Sequence, residues 1–93
     1  MFAASLLSMS DEPRRVKPPG ELNQDRRRLK RRRMIARLGL REAADRADIS
    51  YGFLSDLENG YKSAGPETLG KLADAYGCGI EDIMPRETNG AAA

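Results

Sequence analysis

The residues of this chain that could do chemistry fall into a few groups. Four acids, Asp45, Asp48, Asp56 and Glu58, crowd one short stretch. Paired carboxylates can act as acid and base, but there is no histidine in the chain, no glycine-rich phosphate loop and no paired base to complete a mechanism. Cys78 is the single cysteine, so a disulfide within one chain is excluded, and no cluster has zinc-ligand spacing. Between its glycines, Cys78 reads as a small buried apolar residue. The residues therefore point away from an enzyme and call for no metal and no cofactor. What remains is charge, in the run "RRRLKRRR" at 26–33, and the short stretch "SYGFLSDLENG" at 50–60.

The net charge of +2 hides an asymmetry. Residues 22–37 carry eight basic residues and one acid, a net +7, whereas residues 38–85 carry four basic residues and nine acids, a net −5. So basic a block, held in one place, suits a polyanion. Arg31, Arg32 and Arg33 at its centre are candidates to meet phosphate, with Arg14, Arg15 and Lys17 upstream as a basic arm that could enter a minor groove. With 93 residues the chain forms one domain with a thin core, too small for a deep enzyme cleft.

The elements that must position these groups are short helices. Residues 1–21, rich in proline and serine, read as a flexible or extended arm, and residues 86–93 as a frayed tail. The opening "MFAASLLSMS" is too short to span a bilayer and lacks the basic leader of a secretory signal, so it reads as a disordered leader of a cytoplasmic protein, in which Met9 is a possible start. Asn23 is placed to cap a helix running to about Ala36, with Leu29, Ile35 and Ala36 on one face. A second helix, 40–47, carries a small-residue face of Ala43, Ala44 and Ala47, and ends at Asp48. Ser50 caps a third, 51–58, which ends on Gly60. Pro66 opens a fourth, 66–76, with Leu69, Leu72, Ala73 and Tyr76 on one stripe; Tyr76 is expected in the core with its hydroxyl reaching solvent. A last short helix, 80–84, is expected before Pro85. No strand alternation occurs. The expected core is Leu38, Ala43, Ala47, Ile49, Leu54, Leu57, Leu69, Leu72, Ala73, Ile80 and Ile83.

Helices 40–47 and 51–58, three residues apart, have the geometry of a helix-turn-helix. One such helix braces across the duplex backbone while the next places its first turn in the major groove. The pieces "LGLREAADRADIS", "FLSDLENG" and "PETLGKLADAYGCGIEDI" make residues 38–85 resemble the phage-repressor-like (Xre-type) helix-turn-helix domain. The resemblance implies an all-α, compact, four- to five-helix lambda-repressor-like fold over 22–85. It implies sequence-specific binding of double-stranded DNA by a small bacterial, phage or plasmid regulator, with repression favoured, acting as a homodimer for which Ile83 and Met84 offer a surface.

By position, the resemblance implies base contacts from Tyr51, Gly52 and Ser55. It implies backbone contacts from Leu40, Arg41, Ser50, Asn59 and Lys62, and a structural role for Glu58. The departures are specific. Gly39 stands at a usual Ser or Thr cap, Arg37 at a frequent glycine, and Leu40 where a glutamine often meets phosphate. Gly52 has no side chain to read a base, Asp56 adds negative charge near the groove, and the recognition helix lacks a bidentate Arg or Gln. An alternative use of the same fold is a protein-interaction module that binds a regulator or polymerase component through Tyr51, Phe53 or the terminal helix.

Overall fold

The computed structural model describes residues 15–86. The leader with Met9 and Arg14, and the tail from residue 87, lie outside the described residues. Four α-helices follow in order: α1 (Arg26–Ile35), α2 (Leu40–Ala47), α3 (Tyr51–Asn59) and α4 (Pro66–Tyr76). Two 3-10 turns, Pro19–Glu21 and Ile80–Asp82, flank them. The second stands in place of the helix expected over 80–84.

All four helices stop in the same way. Arg37, Asp48, Gly60 and Gly77 each adopt a left-handed backbone with φ of 61, 60, 82 and 69°. The next residue then donates its amide back to the carbonyl five positions earlier: Leu38 to Arg33, Ile49 to Ala44, Tyr61 to Asp56 and Cys78 to Ala73. This closure satisfies last-turn carbonyls and turns a largely apolar residue toward the core. It makes Arg37 legible: a side chain can occupy the left-handed site at a cost of about 1–2 kcal/mol, so glycine is preferred there without being required.

The helix starts are less uniform. The Asp25 carboxylate, not Asn23, caps α1 by accepting from the Arg28 amide at 3.0 Å. Asn23 is occupied elsewhere: its amide donates to Ser63 Oγ at 2.9 Å and its side chain to the Ala64 carbonyl at 2.8 Å. An anionic cap is also the better complement to the positive helix end. Ser50 caps α3 by accepting from the Phe53 amide at 3.0 Å. Gly39 and Gly65 offer no side-chain cap to α2 and α4.

Leu29, Leu54, Leu57, Leu72 and Ile83 are fully buried and draw α1, α3, α4 and the chain after α4 together. Ala43, Ala44 and Ala47 let α2 lie close against α3 and α4. Five expectations change. Ile80 is exposed and Ile49 only half-buried, because the final turn and the α2–α3 link lie at the rim of the core. Ile35 is 61% exposed and does not share the inward face of Leu29. Ile83 is wholly buried and Met84 packs on the core, so the expected dimer surface through this pair is not available at Ile83. Tyr76 is a core residue, but its hydroxyl is enclosed and has no hydrogen-bond partner among the described residues; burial pushes its pKa above the ordinary phenol range.

The approach to α1 runs across the end of α3, where the Lys17 amide donates to the Gly60 carbonyl at 2.8 Å. A Cβ at Gly60 would lie 2.9 Å from Arg26 Cδ and 3.1 Å from Val16 Cγ1. Gly60→Ala therefore combines a left-handed alanine with displacement of Arg26 and Val16. It is expected to lower stability by about 1–2 kcal/mol, read as a lower urea midpoint with unchanged slope. A neutral result would show that the strap yields freely.

Candidate nucleic-acid interface

Residues 48–50 link α2 to α3. The left-handed Asp48 turns the chain, Ile49 packs on the core and Ser50 starts α3 with its hydroxyl cap. Leu54 and Leu57 fix the inner face of α3, which leaves Tyr51 and Gly52 exposed at its first turn. Ser55 is half-buried and its hydroxyl accepts from Asn59 Nδ2 at 3.4 Å, one turn later. Tyr51, Gly52, Ser55 and Asn59 thus lie along one helix, as their spacing requires.

Arg41 comes to the same place from α2. Its guanidinium carbon lies 4.9 Å from the centroid of the Tyr51 ring, within cation–π range. Leu40, its neighbour, packs on the core and has no polar side chain to offer. Arg41 makes no salt bridge among the described residues, so its planar N–H edge is not taken by an acid.

The basic block does not form one face. Successive residues of a helix are about 100° apart, and its three central arginines diverge. Arg33 turns inward: its guanidinium forms a two-point pair with Glu58, Nε to Oε2 at 2.6 Å and Nη2 to Oε1 at 3.1 Å. Its Nη1 donates to the Leu38 carbonyl at 2.8 Å. The two side chains are only 11% and 8% exposed. Hydrogen bonding to Glu58 raises the Arg33 pKa above its ordinary value, against the opposing effect of burial. Arg33, expected at phosphate, is a clamp between α1 and α3, and Glu58 holds its other side. Arg32 lies 3.7 Å from Asp82. Arg31 is exposed beside Arg27, Lys30, Met34 and Ile35.

Asp56 also departs from expectation. It is buried and faces Lys62, whose Nζ lies 3.5 Å from Oδ2 and 5.8 Å from the Phe53 ring centroid. Its charge is thereby partly compensated and kept off the exposed face of α3. Lys62 is tethered, yet its side chain stays 54% exposed.

Two features had no signal in the linear pattern. A groove of about 530 Å³ brings Lys17, Arg26, Arg27 and Lys30 beside Asn59. Gln24, 1% exposed, ties the approach to α1 to the loop after α3. Its Nε2 donates to the carbonyls of Leu57 at 3.0 Å and Lys62 at 2.8 Å, and its Oε1 accepts from the Ala64 amide at 2.9 Å. Cys78 is free and half-buried, and burial raises its thiol pKa. Among the described residues no group of His, Cys, Asp or Glu is placed to hold a metal, and no helix is long and apolar enough to cross a membrane.

A buried brace, a three-residue link and an outward first turn define a helix-turn-helix unit. A helix-turn-helix family profile matches residues 29–83, and the chain belongs to that family. It is 40% identical over 57 residues to the HTH-type transcriptional regulator DdrOP3 of Deinococcus deserti, a match covering 61% of this chain and 44% of DdrOP3. The chain thus corresponds to less than half the length of that relative. The crystal structure of the clp gene regulator ClgR from C. glutamicum is similar with a TM-score of 0.58 and 33% identity, over 61% of this chain and 74% of that one.

Proposed function

We propose that this protein is a sequence-specific double-stranded DNA-binding transcriptional regulator, a repressor in the first instance, that acts as a homodimer. The observation that carries this reading is the α3 first turn. Tyr51 and Gly52 face outward there while Leu54 and Leu57 anchor the helix from behind. A major groove accepts a helix presented in this way. The names of DdrOP3 and ClgR, both regulators, support it. One module of this size reads few base pairs, so pairing of two copies on a divided site fits the reading.

In this proposal Tyr51, Gly52 and Ser55 lie against base edges. Backbone contact falls to Ser50, Asn59 and Lys62, with Lys17, Arg26, Arg27 and Lys30 around the groove beside Asn59, and Arg31 next to them. The uncapped first turn of α2 at Leu40 can add its amides to a phosphate. Arg33 takes no direct part, because its guanidinium is enclosed and paired with Glu58; Arg32, 3.7 Å from Asp82 with its side chain 37% exposed, stays among the backbone contacts.

Selection of bound duplexes from a random pool at two salt concentrations tests the reading. A defined enriched sequence supports it; uniform recovery of all duplexes removes it. Replacing Arg27 and Lys30 with alanine is expected to weaken binding to every duplex. It should also reduce the slope of log K against log salt by about 0.9 for each phosphate no longer neutralised. An unchanged slope would dismiss both residues as phosphate contacts. Met34 and Ile35, 60% and 61% exposed on α1 beside three cations, favour a second reading in which this helix meets a partner protein. A partner that binds the DNA-free protein and no longer binds Met34→Lys would support that reading.

A further inference from the structure

The recognition helix, α3, contains no arginine or glutamine able to make two hydrogen bonds to one base. Its proposed readers, exposed Tyr51 and half-buried Ser55, discriminate weakly by hydrogen bonding alone. The tertiary structure supplies the missing fork from the neighbouring helix. Arg41, in the first turn of α2, lies with its guanidinium 4.9 Å from the Tyr51 ring centroid, and both residues are exposed. Contact with the ring face uses no N–H donor of the guanidinium. It restrains a long side chain before any ligand arrives, so less ordering entropy is lost on binding.

We infer that Arg41 and Tyr51 form one composite reader of a guanine adjacent to a pyrimidine bearing a C5 methyl group. This inference rests on the DNA-binding reading above. Guanine offers O6 and N7 side by side in the major groove, and a guanidinium fork matches that pair. A phosphate would match the fork equally well, so position decides between them. Tyr51 is the first residue of the helix that enters the groove, and Arg41 touches its ring. Whatever base step the ring reaches, the fork lies within one side-chain contact of the same step. The ring adds an apolar surface for the methyl group of thymine or of 5-methylcytosine, a contact that cytosine and uracil do not offer.

The test uses the full chain and the duplex it selects from a random pool. At the reading position, guanine is replaced by 7-deazaguanine, which lacks the N7 acceptor. The adjacent thymine is replaced by uracil or by 5-methylcytosine with its complement adjusted. The wild-type protein is expected to lose roughly 5- to 100-fold in affinity with 7-deazaguanine and a smaller factor with uracil. Arg41→Ala, which removes every donor, should no longer distinguish guanine from 7-deazaguanine. Tyr51→Ala should no longer distinguish thymine from uracil, whereas Tyr51→Phe should. Equal binding of 5-methylcytosine and thymine would assign the reader to any C5 methyl; preference for thymine would assign it to that base; both support the pair.

An Arg41→Ala variant that still distinguishes guanine from 7-deazaguanine, weakens all duplexes alike and lowers the salt slope by about one would make Arg41 a phosphate contact and overturn the inference. DNA binding would then stand. If the wild-type chain enriches no sequence, the DNA-binding reading itself fails, and the inference falls with it. Thermal melting followed by circular dichroism shows that each variant remains folded, so that absent discrimination is not mistaken for unfolding.

Discussion

Glu58→Ala is expected to destabilise the protein by about 3–5 kcal/mol, and to do so without touching any proposed DNA contact. The substitution leaves the Arg33 guanidinium nearly buried with two of its donors unpaired and only the Leu38 carbonyl still accepting. A domain of this size has a total stability of only about 5–10 kcal/mol, so the variant should retain about 0–7 kcal/mol of it. The penalty is that of an uncompensated charge rather than of the pair itself. Replacing both partners by apolar residues, Arg33→Met with Glu58→Leu, should therefore cost much less than either single removal. Urea unfolding of the two single variants and the double variant measures this directly. A single variant within about 1 kcal/mol of wild type would show that water reaches the site and screens the pair. The pair also crosses from α1 to α3. Removing it should weaken DNA binding through a poorly seated recognition helix. Tight binding restored at low temperature would separate that effect from removal of a group that touches DNA.

Gln24→Ala carries the second large effect. The side chain makes three hydrogen bonds at 1% exposure, and each orphaned buried group costs about 1–3 kcal/mol. A decrease of about 3 kcal/mol or more is expected in urea unfolding, with faster amide exchange at Ala64. Gln24→Glu gives a check with a sign. A carboxylate there would face the carbonyls of Leu57 and Lys62, so its folded pKa would rise above the ordinary Glu value of about 4.3. A group whose folded pKa is raised contributes stability while protonated, and that contribution is lost as pH rises through the folded pKa. Relative to wild type, Gln24→Glu should therefore be less stable at about pH 7 than at about pH 5. A pH-independent difference would mean that the loop has opened to let water replace the amide.

Gln24 does not stand out in the linear sequence, and for Glu58 the resemblance implies a structural role without naming its partner; the reason is shared. Helices α2 and α4 are legible because apolar and small residues recur at helical spacing and are bounded by turn residues. Helix α3 is legible from the Ser50 cap and the Asn59-Gly60 stop. The first helix has charge on every side, so no apolar stripe marks which arginine turns inward. Arg33 is chosen by Glu58, 25 residues away. Gln24 lies before α1, where no periodicity operates, and its three partners lie 33 to 40 residues distant. The cap of α1 falls to Asp25 rather than Asn23 for the same reason, since the side chain of Asn23 is claimed by the loop at residues 63–64.

By itself, the sequence determined the all-α architecture, three of the four helix boundaries to within a residue, the helix-turn-helix spacing and most of the core. Those depend on local periodicity, caps and left-handed stops, which act over a few residues. Only the tertiary structure decided which charges are spent internally, at Arg33, Glu58 and Asp56, and which remain outward. Only it set Arg41 against Tyr51. Electrostatic pairing and stacking depend on distance in space, and a chain folded back through three turns brings together groups whose separation along the sequence carries no such information.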